Sequence, residues 1–198
     1  MEAGEIATGN SNWQGDAYLV DLIHLYRPDT IYDFGVGKWA KIGYLVRKNY
    51  QDFRMIQGVL SKQLILVGIE GHLPNWDMAN RSGIYDYLFY EKIEEFVVKD
   101  APDWRYTGRI DVAVFGDVLE HFELKTAKMI VEKVKKRCTK AIIVQMPLGE
   151  YKQEVEINPL ENHRSTWTFE EIQSLDPAGL RKFTDNVGRE FVVFAIPV

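Results

Sequence analysis

The sequence predicts an α/β fold: a mostly parallel sheet between layers of helices, with one antiparallel strand near the C-terminus. Strand-like apolar runs alternate with helical runs along most of the chain, which is typical of a parallel sheet. Residues 64–69 are almost entirely apolar, as expected of a strand that is buried on both faces. The last two strand-like runs are separated by turn residues 185–188, so we expect them to form an antiparallel hairpin.

The predicted strands are short runs of apolar, β-branched and aromatic residues. Several of them end at residues that interrupt a strand or carry charge. The first is followed by Gly35, the second ends at Glu70, and the fifth is followed by Pro147. In chain order, the strands are predicted at residues 30–34, 64–69, 87–90, 109–115, 141–146, 180–184 and 190–197.

The predicted helices carry apolar residues at three- and four-residue spacing, the period of a helix face. Pro28 ends the first helix, and Pro74 fits the first turn of the third. Thr168 and Glu171 form a capping-box pattern that opens the last helix. The helices are predicted at residues 16–26, 38–50, 74–81, 92–98, 124–137 and 168–175, with a loop or a short extra helix at 51–63.

Length and composition predict one soluble domain in the cytoplasm. The chain has 198 residues, of which 46% are apolar and 27% charged, ordinary values for a globular domain. Residues 1–12 are predicted to be a flexible terminus and residues 13–198 the domain. Cys138 is the single cysteine and no apolar run could span a bilayer, so we expect a reducing compartment and no membrane. The net charge of −5 disfavours binding to long nucleic acids.

Residues 30–40 carry the first candidate site, in which a strand, a glycine bend and a helix follow one another. Gly35 and Gly37 let the backbone turn sharply and approach a ligand closely. Asp33 precedes the bend, where it would anchor the turn or a ligand amine. Glu70 ends the next strand, where its carboxylate would accept hydrogen bonds from both hydroxyls of a ribose. In the plainer alternative, the glycines form an ordinary turn and Glu70 caps a strand end.

The succession IYDFGVG, LILVGIE, DVAVFGDVLEHF and AIIVQMP, followed by the terminal hairpin, resembles the class I S-adenosylmethionine (SAM)-dependent methyltransferases. The resemblance covers about residues 13–198. It implies a three-layer sandwich around a seven-stranded sheet whose last strand is inserted antiparallel, and SAM as the cofactor. The acid that commonly binds adenine in this family has no clear counterpart here, since the local sequence is Tyr90-Glu91-Lys92. The residues assigned to cofactor binding are Asp33, Gly35, Gly37, Glu70 and Asp117.

Catalytic residues are expected after the fourth and fifth strands. Methyl transfer from a sulfonium depends mainly on alignment, and a base is needed only where the acceptor carries a proton. Glu120, His121 and His163 are the candidate catalytic residues. Together with Asp117 they offer nitrogen and oxygen donors that could ligate one divalent cation. We expect no metal, and this four-residue set is the alternative. In the plainer interpretation, the two histidines hydrogen-bond loop groups.

The sequence favours a methyltransferase that acts on a small molecule, a sugar or a peptide-type acceptor. A nicotinamide-dependent oxidoreductase is the second interpretation, because the glycine pattern also fits a dinucleotide fingerprint. However, that fingerprint expects an acidic residue about 20 residues after its glycines, whereas Glu70 lies 35 residues beyond Gly35. A scaffold that binds SAM without catalysis is the third interpretation. The acceptor atom and the oligomeric state, a homodimer included, are left open.

Overall fold

The structure, a computed structural model, describes residues 14–51, 64–98 and 110–198. Within these residues, the strands form one seven-stranded sheet and lie close to the predicted positions. The strands are β1 (Thr30–Phe34), β2 (Ile65–Glu70), β3 (Tyr87–Tyr90), β4 (Ile110–Gly116), β5 (Cys138–Pro147), β6 (Ala178–Thr184) and β7 (Glu190–Pro197).

The sheet has the strand order β3-β2-β1-β4-β5-β7-β6. Neighbouring strands from β3 to β5 are parallel, whereas β7 pairs antiparallel with both β5 and β6. The predicted α/β class, the mostly parallel sheet and the antiparallel last strand are therefore confirmed. The chain runs outward from β1 to β3 and returns to β4 on the other side of β1. A sheet of this kind opens a crevice at the carboxyl ends of β1 and β4.

Helices lie on both faces of the sheet. A π-helical turn, Val46–Gln51, continues the second helix. Two 3₁₀ turns, Leu119–His121 and Pro159–Glu161, lie in the connections near the carboxyl ends of the strands. The helices are α1 (Asp16–Tyr26), α2 (Lys41–Leu45), α3 (Leu73–Ser82), α4 (Ile93–Val98), α5 (Leu124–Lys135) and α6 (Phe169–Gln173).

Two apolar clusters fill the spaces between the sheet and the helices, and so make the fold three-layered. On one face, Ile23 of α1 and Ile42 of α2 pack in one cluster with Val114 of β4. On the other face, Phe96 of α4 belongs to one cluster with Phe115 of β4. Because successive residues of a strand point to opposite faces, β4 contributes to both clusters. The middle of the sheet is therefore buried on both sides.

The second helix begins later than the predicted range of 38–50. Ala40 adopts a left-handed conformation with a φ of +47°, so regular helix starts only at Lys41. The predictions for residues 1–12 and for residues 52–63 lie outside the described residues. Among the residues that are described, no helix combines the length and the apolar character needed to cross a bilayer.

Candidate active site

One cavity of about 750 Å³ opens at the carboxyl ends of β1, β2, β4 and β5. It brings together residues that are far apart in the sequence. The predicted cofactor-binding residues that line it are Gly35, Gly37, Glu70 and Asp117. The predicted catalytic residues that line it are Glu120, His121 and His163. Asp33 is not part of the cavity wall.

The bend after β1 requires glycine at both predicted positions, for different reasons. Gly35 has a φ of +81°, and a Cβ there would lie 2.6 Å from Cγ2 of Val118. Gly37 has a φ of +67°, and a Cβ there would meet no atom within 4 Å. Only the backbone conformation therefore demands glycine at the second position. The N–H of Gly35 donates to the carbonyl oxygen of Ile69 at 2.9 Å, which joins the bend to the end of β2.

Glu70 ends β2 with its carboxylate directed at the glycine bend. The side chain is buried, and the N–H of Gly37 donates to Oε2 at 2.8 Å. The N–H of His72 donates to Oε1 at 2.7 Å. Burial raises the pKa of Glu70, whereas hydrogen bonds from these two amides lower it. Each carboxylate oxygen can accept a further hydrogen bond, so Glu70 remains able to bind a diol.

Asp33 lies in β1, beneath the bend, and is fully buried. The hydroxyl of Tyr85 donates to Oδ2 of Asp33 at 2.5 Å. Burial raises the pKa of Asp33 to about 7, although the hydrogen bond from Tyr85 acts in the opposite direction. Of the two roles predicted for Asp33, this position supports anchoring of the turn rather than contact with a ligand amine.

Asp117 follows β4 in the left-handed region, with a φ of +56°. This conformation is uncommon for residues other than glycine, although aspartate adopts it more readily than most. The side-chain amide of Gln145 donates to Oδ2 of Asp117 at 3.1 Å. The N–H of Asp117 in turn donates to the carbonyl oxygen of Gln145 at 2.8 Å. Asp117 is thus held against β5 at the cavity wall.

Glu120 and His121 lie in the 3₁₀ turn that follows Asp117. Glu120 is only 2% exposed, and its Oε2 has no hydrogen-bond partner. Burial, and next the carboxylate of Asp117, raise the pKa of Glu120 well above its ordinary value. The Nε2 atom of His121 lies 3.1 Å from the carbonyl oxygen of Asp117. Burial, and next His163, lower the pKa of His121 to about 4, against the smaller opposing effect of the backbone of Asn162. His121 is therefore neutral at pH 7.

His163 reaches the cavity from the long connection between β5 and α6. The N–H of Arg164 donates to the backbone carbonyl oxygen of Glu120 at 2.9 Å, which fixes this connection beside the 3₁₀ turn. The rings of His163 and His121 have centroids 5.0 Å apart and meet edge to face, at 63°. The Nδ1 atom of His163 lies 2.8 Å from the carbonyl oxygen of Tyr151, and burial lowers the pKa of the ring.

Glu120, His121 and His163 form one group within the described part of the chain. One ligand atom from each side chain lies within 4.8 Å of the other two. The two neutral imidazoles can accept a proton from a substrate, and with the carboxyl group of Glu120 the three side chains offer the nitrogen and oxygen atoms that a divalent cation can bind. Asp117, the fourth member of the predicted donor set, does not belong to this group. Its carboxylate is instead hydrogen-bonded to Gln145.

Solved structures with the same architecture include several methyltransferases. The structure matches magnesium protoporphyrin IX methyltransferase (ChlM) from Synechocystis PCC 6803 with bound SAM, with a TM-score of 0.59 and 10% identity, over 92% of this chain and 79% of that one. It matches the N-terminal domain of EvdMO1, in the presence of S-adenosylhomocysteine (SAH) and D-fucose, with a TM-score of 0.65 and 13% identity over 96% and 85%. The chain has the class I methyltransferase fold.

A third structure with this fold is the 1,6-didemethyltoxoflavin-N1-methyltransferase of Burkholderia thailandensis, with bound 1,6-didemethyltoxoflavin and SAH. The TM-score is 0.63, with 14% identity over 93% of this chain and 76% of that one. No family model matches the sequence, and no curated protein is significantly similar to it. The likeness is therefore one of fold.

Residues that were not predicted also line the cavity of this class I methyltransferase fold, among them Asn75 and Lys41. Asn75 is buried near the start of α3, directly beyond the end of β2. The sequence feature that could have indicated Asn75 is its position shortly after β2, the strand that ends at Glu70. Lys41 forms an ion pair with Asp16 at 2.6 Å, and both side chains are about nine-tenths buried. No local pattern indicates this pair, because its members belong to different helices.

Proposed function

We propose that this protein is a SAM-dependent methyltransferase that acts on a small molecule, a sugar or a peptide-type acceptor. The observation that carries the proposal is the meeting of Glu70 with the glycine bend. The N–H of Gly37 donates to the Glu70 carboxylate at 2.8 Å. The carboxylate, a hydrogen-bond acceptor, therefore lies directly beside the glycine backbone, which no side chain covers. A nucleoside needs both features, because its ribose hydroxyls are donors and its approach to the backbone must be close.

The remainder of the cavity suits the other parts of the cofactor. The helix α3 begins just beyond Glu70 and contributes Asn75, a polar side chain available to the nucleoside. Asp117 also lines the cavity, and its carboxylate would contribute to binding the amino-acid end of the cofactor. When bound, SAM supplies the methyl group as a sulfonium. The protein then has to position the donor and acceptor in line and exclude water.

The acceptor is expected at the end of the cavity that contains Glu120, His121 and His163. A hydroxyl or amine acceptor must lose a proton when it gains the methyl group, and these three side chains include groups able to assist. The cavity volume of about 750 Å³ falls in the usual range for small-ligand sites, about 300–1,000 Å³. A small acceptor therefore suits this site better than a long nucleic acid.

Calorimetry with SAM, SAH and NAD in parallel tests the proposal. We expect SAM and SAH to bind and NAD not to bind. In Glu70→Gln, one of the two backbone amides loses its acceptor and the ribose loses a charged partner. The loss of these interactions should weaken the binding of SAH by about 1–3 kcal/mol. Glu132→Gln, an exposed residue of α5, is the matched control and should leave the affinity unchanged. Binding of NAD alone would contradict the proposal.

Turnover separates the enzyme from a scaffold that only binds SAM. The purified chain is incubated with labelled SAM and a panel of hydroxyl, amine and carboxylate acceptors, and SAH release is followed. SAH formation that depends on an acceptor supports the methyltransferase. Tight SAH binding with no turnover on any acceptor of the panel would favour the scaffold interpretation instead.

A further inference from the structure

The connection between β5 and α6 reaches the end of β2 through its 3₁₀ turn. A Cβ built on Gly71, the residue after Glu70, would lie 3.2 Å from Cδ1 of Leu160, which belongs to this turn. It would also lie 3.3 Å from Cα of Lys92, the second residue after β3. Gly71, Leu160 and Lys92 thus form one contiguous part of the cavity wall, directly beside Glu70.

Glu161, the last residue of the same 3₁₀ turn, brings a second carboxyl group to this part of the cavity. Burial raises the pKa of Glu70, and the negative charge of Glu161 adds a smaller effect in the same direction. The carboxyl groups of the two residues are therefore close enough to act on each other. A donor group of a ligand held by Glu70 has a second acceptor within reach.

Hydrogen bonds within the connection hold the 3₁₀ turn in place. Asn158 is only 4% exposed, and its side-chain oxygen accepts from the N–H of Leu160 at 3.3 Å. Its side-chain amide donates to Oε1 of Glu161 at 2.8 Å. The side-chain amide of Gln153 donates to the backbone carbonyl oxygen of Glu161 at 2.9 Å. A carboxylate has about four lone-pair sites, so Glu161 is positioned by these bonds and is still able to accept a hydrogen bond from a ligand.

The adenine base of SAM has to lie on the side of Glu70 that faces away from the glycine bend. In the proposed function, the ribose binds Glu70 and the amino-acid tail lies at the bend after β1. Base and tail are attached to the two carbons that flank the ring oxygen of the ribose, so the base is directed the other way. Because β2 lies between β1 and β3, that direction leads to the end of β3. Glu91, the acidic residue directly after β3, does not line the cavity.

We propose that Leu160 and Glu161 bind the adenine base of the cofactor, an inference that rests on the proposed function. Leu160 packs on the base, and the carboxylate of Glu161 accepts a hydrogen bond from its exocyclic amino group. An amino group donates and a carboxylate only accepts, so this contact selects adenine over a base with a carbonyl oxygen at the same position. A residue after β5 thereby takes the place of the acid that the family resemblance leads one to expect after β3.

Calorimetry with SAH and with S-inosylhomocysteine, in which hypoxanthine replaces adenine, tests the assignment. Hypoxanthine has a carbonyl oxygen where adenine has the amino group, so the parent chain should bind SAH at least about tenfold more tightly. Glu161→Gln keeps an acceptor for Asn158 but also offers a donor to hypoxanthine, so the preference for SAH should fall at least about fivefold. Leu160→Ala removes an apolar contact, so it should weaken both ligands about fivefold and leave their ratio unchanged.

Glu156→Gln and Val187→Ala are the matched controls, at exposed positions that do not line the cavity. Both should bind the two ligands as the parent does. Glu94→Gln tests a competing carboxyl group, because Glu94 also lines the cavity. Circular dichroism checks that every variant is folded.

The adenine assignment is overturned if Glu161→Gln keeps the full preference for SAH, or if Glu94→Gln removes that preference instead. It is also overturned if the parent chain binds SAH and the hypoxanthine analogue equally well, a result that leaves the proposed function intact. Absence of any SAH binding by the parent chain contradicts the proposed function itself. Failure of the adenine site and failure of the cofactor site therefore give different results.

Discussion

Asp33 makes the stability of this protein depend on pH in a direction that can be measured. Its carboxyl group is fully buried, its Oδ1 has no hydrogen-bond partner, and its pKa is raised to about 7. The folded state therefore holds a proton that the unfolded chain releases near pH 4. Stability from this group is complete below the unfolded pKa and is lost as the pH rises through the folded pKa.

The difference between about 7 and the ordinary value of 3.8 corresponds to at most about 4 kcal/mol. Between pH 5 and pH 8, the Asp33 contribution to the free energy of unfolding should fall by about 2–3 kcal/mol. Asp33→Asn keeps a hydrogen-bond acceptor for the hydroxyl of Tyr85 but cannot ionise. The free energy of unfolding of the variant should therefore lack this part of the decline. The stability of the variant relative to the parent should be higher at pH 8 than at pH 5.

Urea denaturation at pH 5, 6, 7 and 8 measures the effect, with parent and variant compared at each pH. Other carboxyl groups titrate equally in both proteins, so only the difference between the two curves reports on Asp33. Asp77→Asn, at an exposed position on α3, is the matched control and should follow the parent. If Asp33→Asn shows the same pH dependence as the parent, the carboxyl group is not buried as described.

Three further perturbations test other contacts. Gly35→Ala should lower the free energy of unfolding by about 2–4 kcal/mol, because the new methyl group adds both backbone strain and steric overlap. Gly37→Ala should lower it by only about 1–2 kcal/mol, through backbone strain alone. Equal losses in urea denaturation would contradict the described bend. Lys41→Met should cost about 3–5 kcal/mol by leaving a buried carboxylate without its partner, and adding Asp16→Asn should recover part of the loss in thermal denaturation. Thr168→Ala should cost about 1 kcal/mol, because it removes the capping box of α6; an unchanged Tm would exclude that role.

The sequence contains most of the information for the sheet and for the end of the cavity that is lined by Glu70 and the glycine bend. Apolar runs with clear interruptions marked β1 and β3 at their observed bounds. The position of Glu70 beside the bend follows from the pairing of β1 with β2, since parallel neighbours end at the same edge. Local patterns and topology rules are sufficient for both results.

Other features depend on contacts that the sequence does not reveal. The left-handed conformation of Ala40, which delays the start of α2, has no signal in its side chain. The hydrogen-bond partner of the buried Asp33 carboxyl group is Tyr85, a residue far along the chain. Likewise, the meeting of His163 with Glu120 depends on backbone hydrogen bonds across the long connection after β5. Such tertiary contacts decide which predicted residues face the cavity.

A crystal structure of the complex with SAH tests the central claim most directly. The account predicts that both ribose hydroxyls lie within hydrogen-bond distance of the Glu70 carboxylate and that the amino-acid tail passes close to Gly35 and Gly37. SAH bound in another place, or with its ribose away from Glu70, would contradict the account.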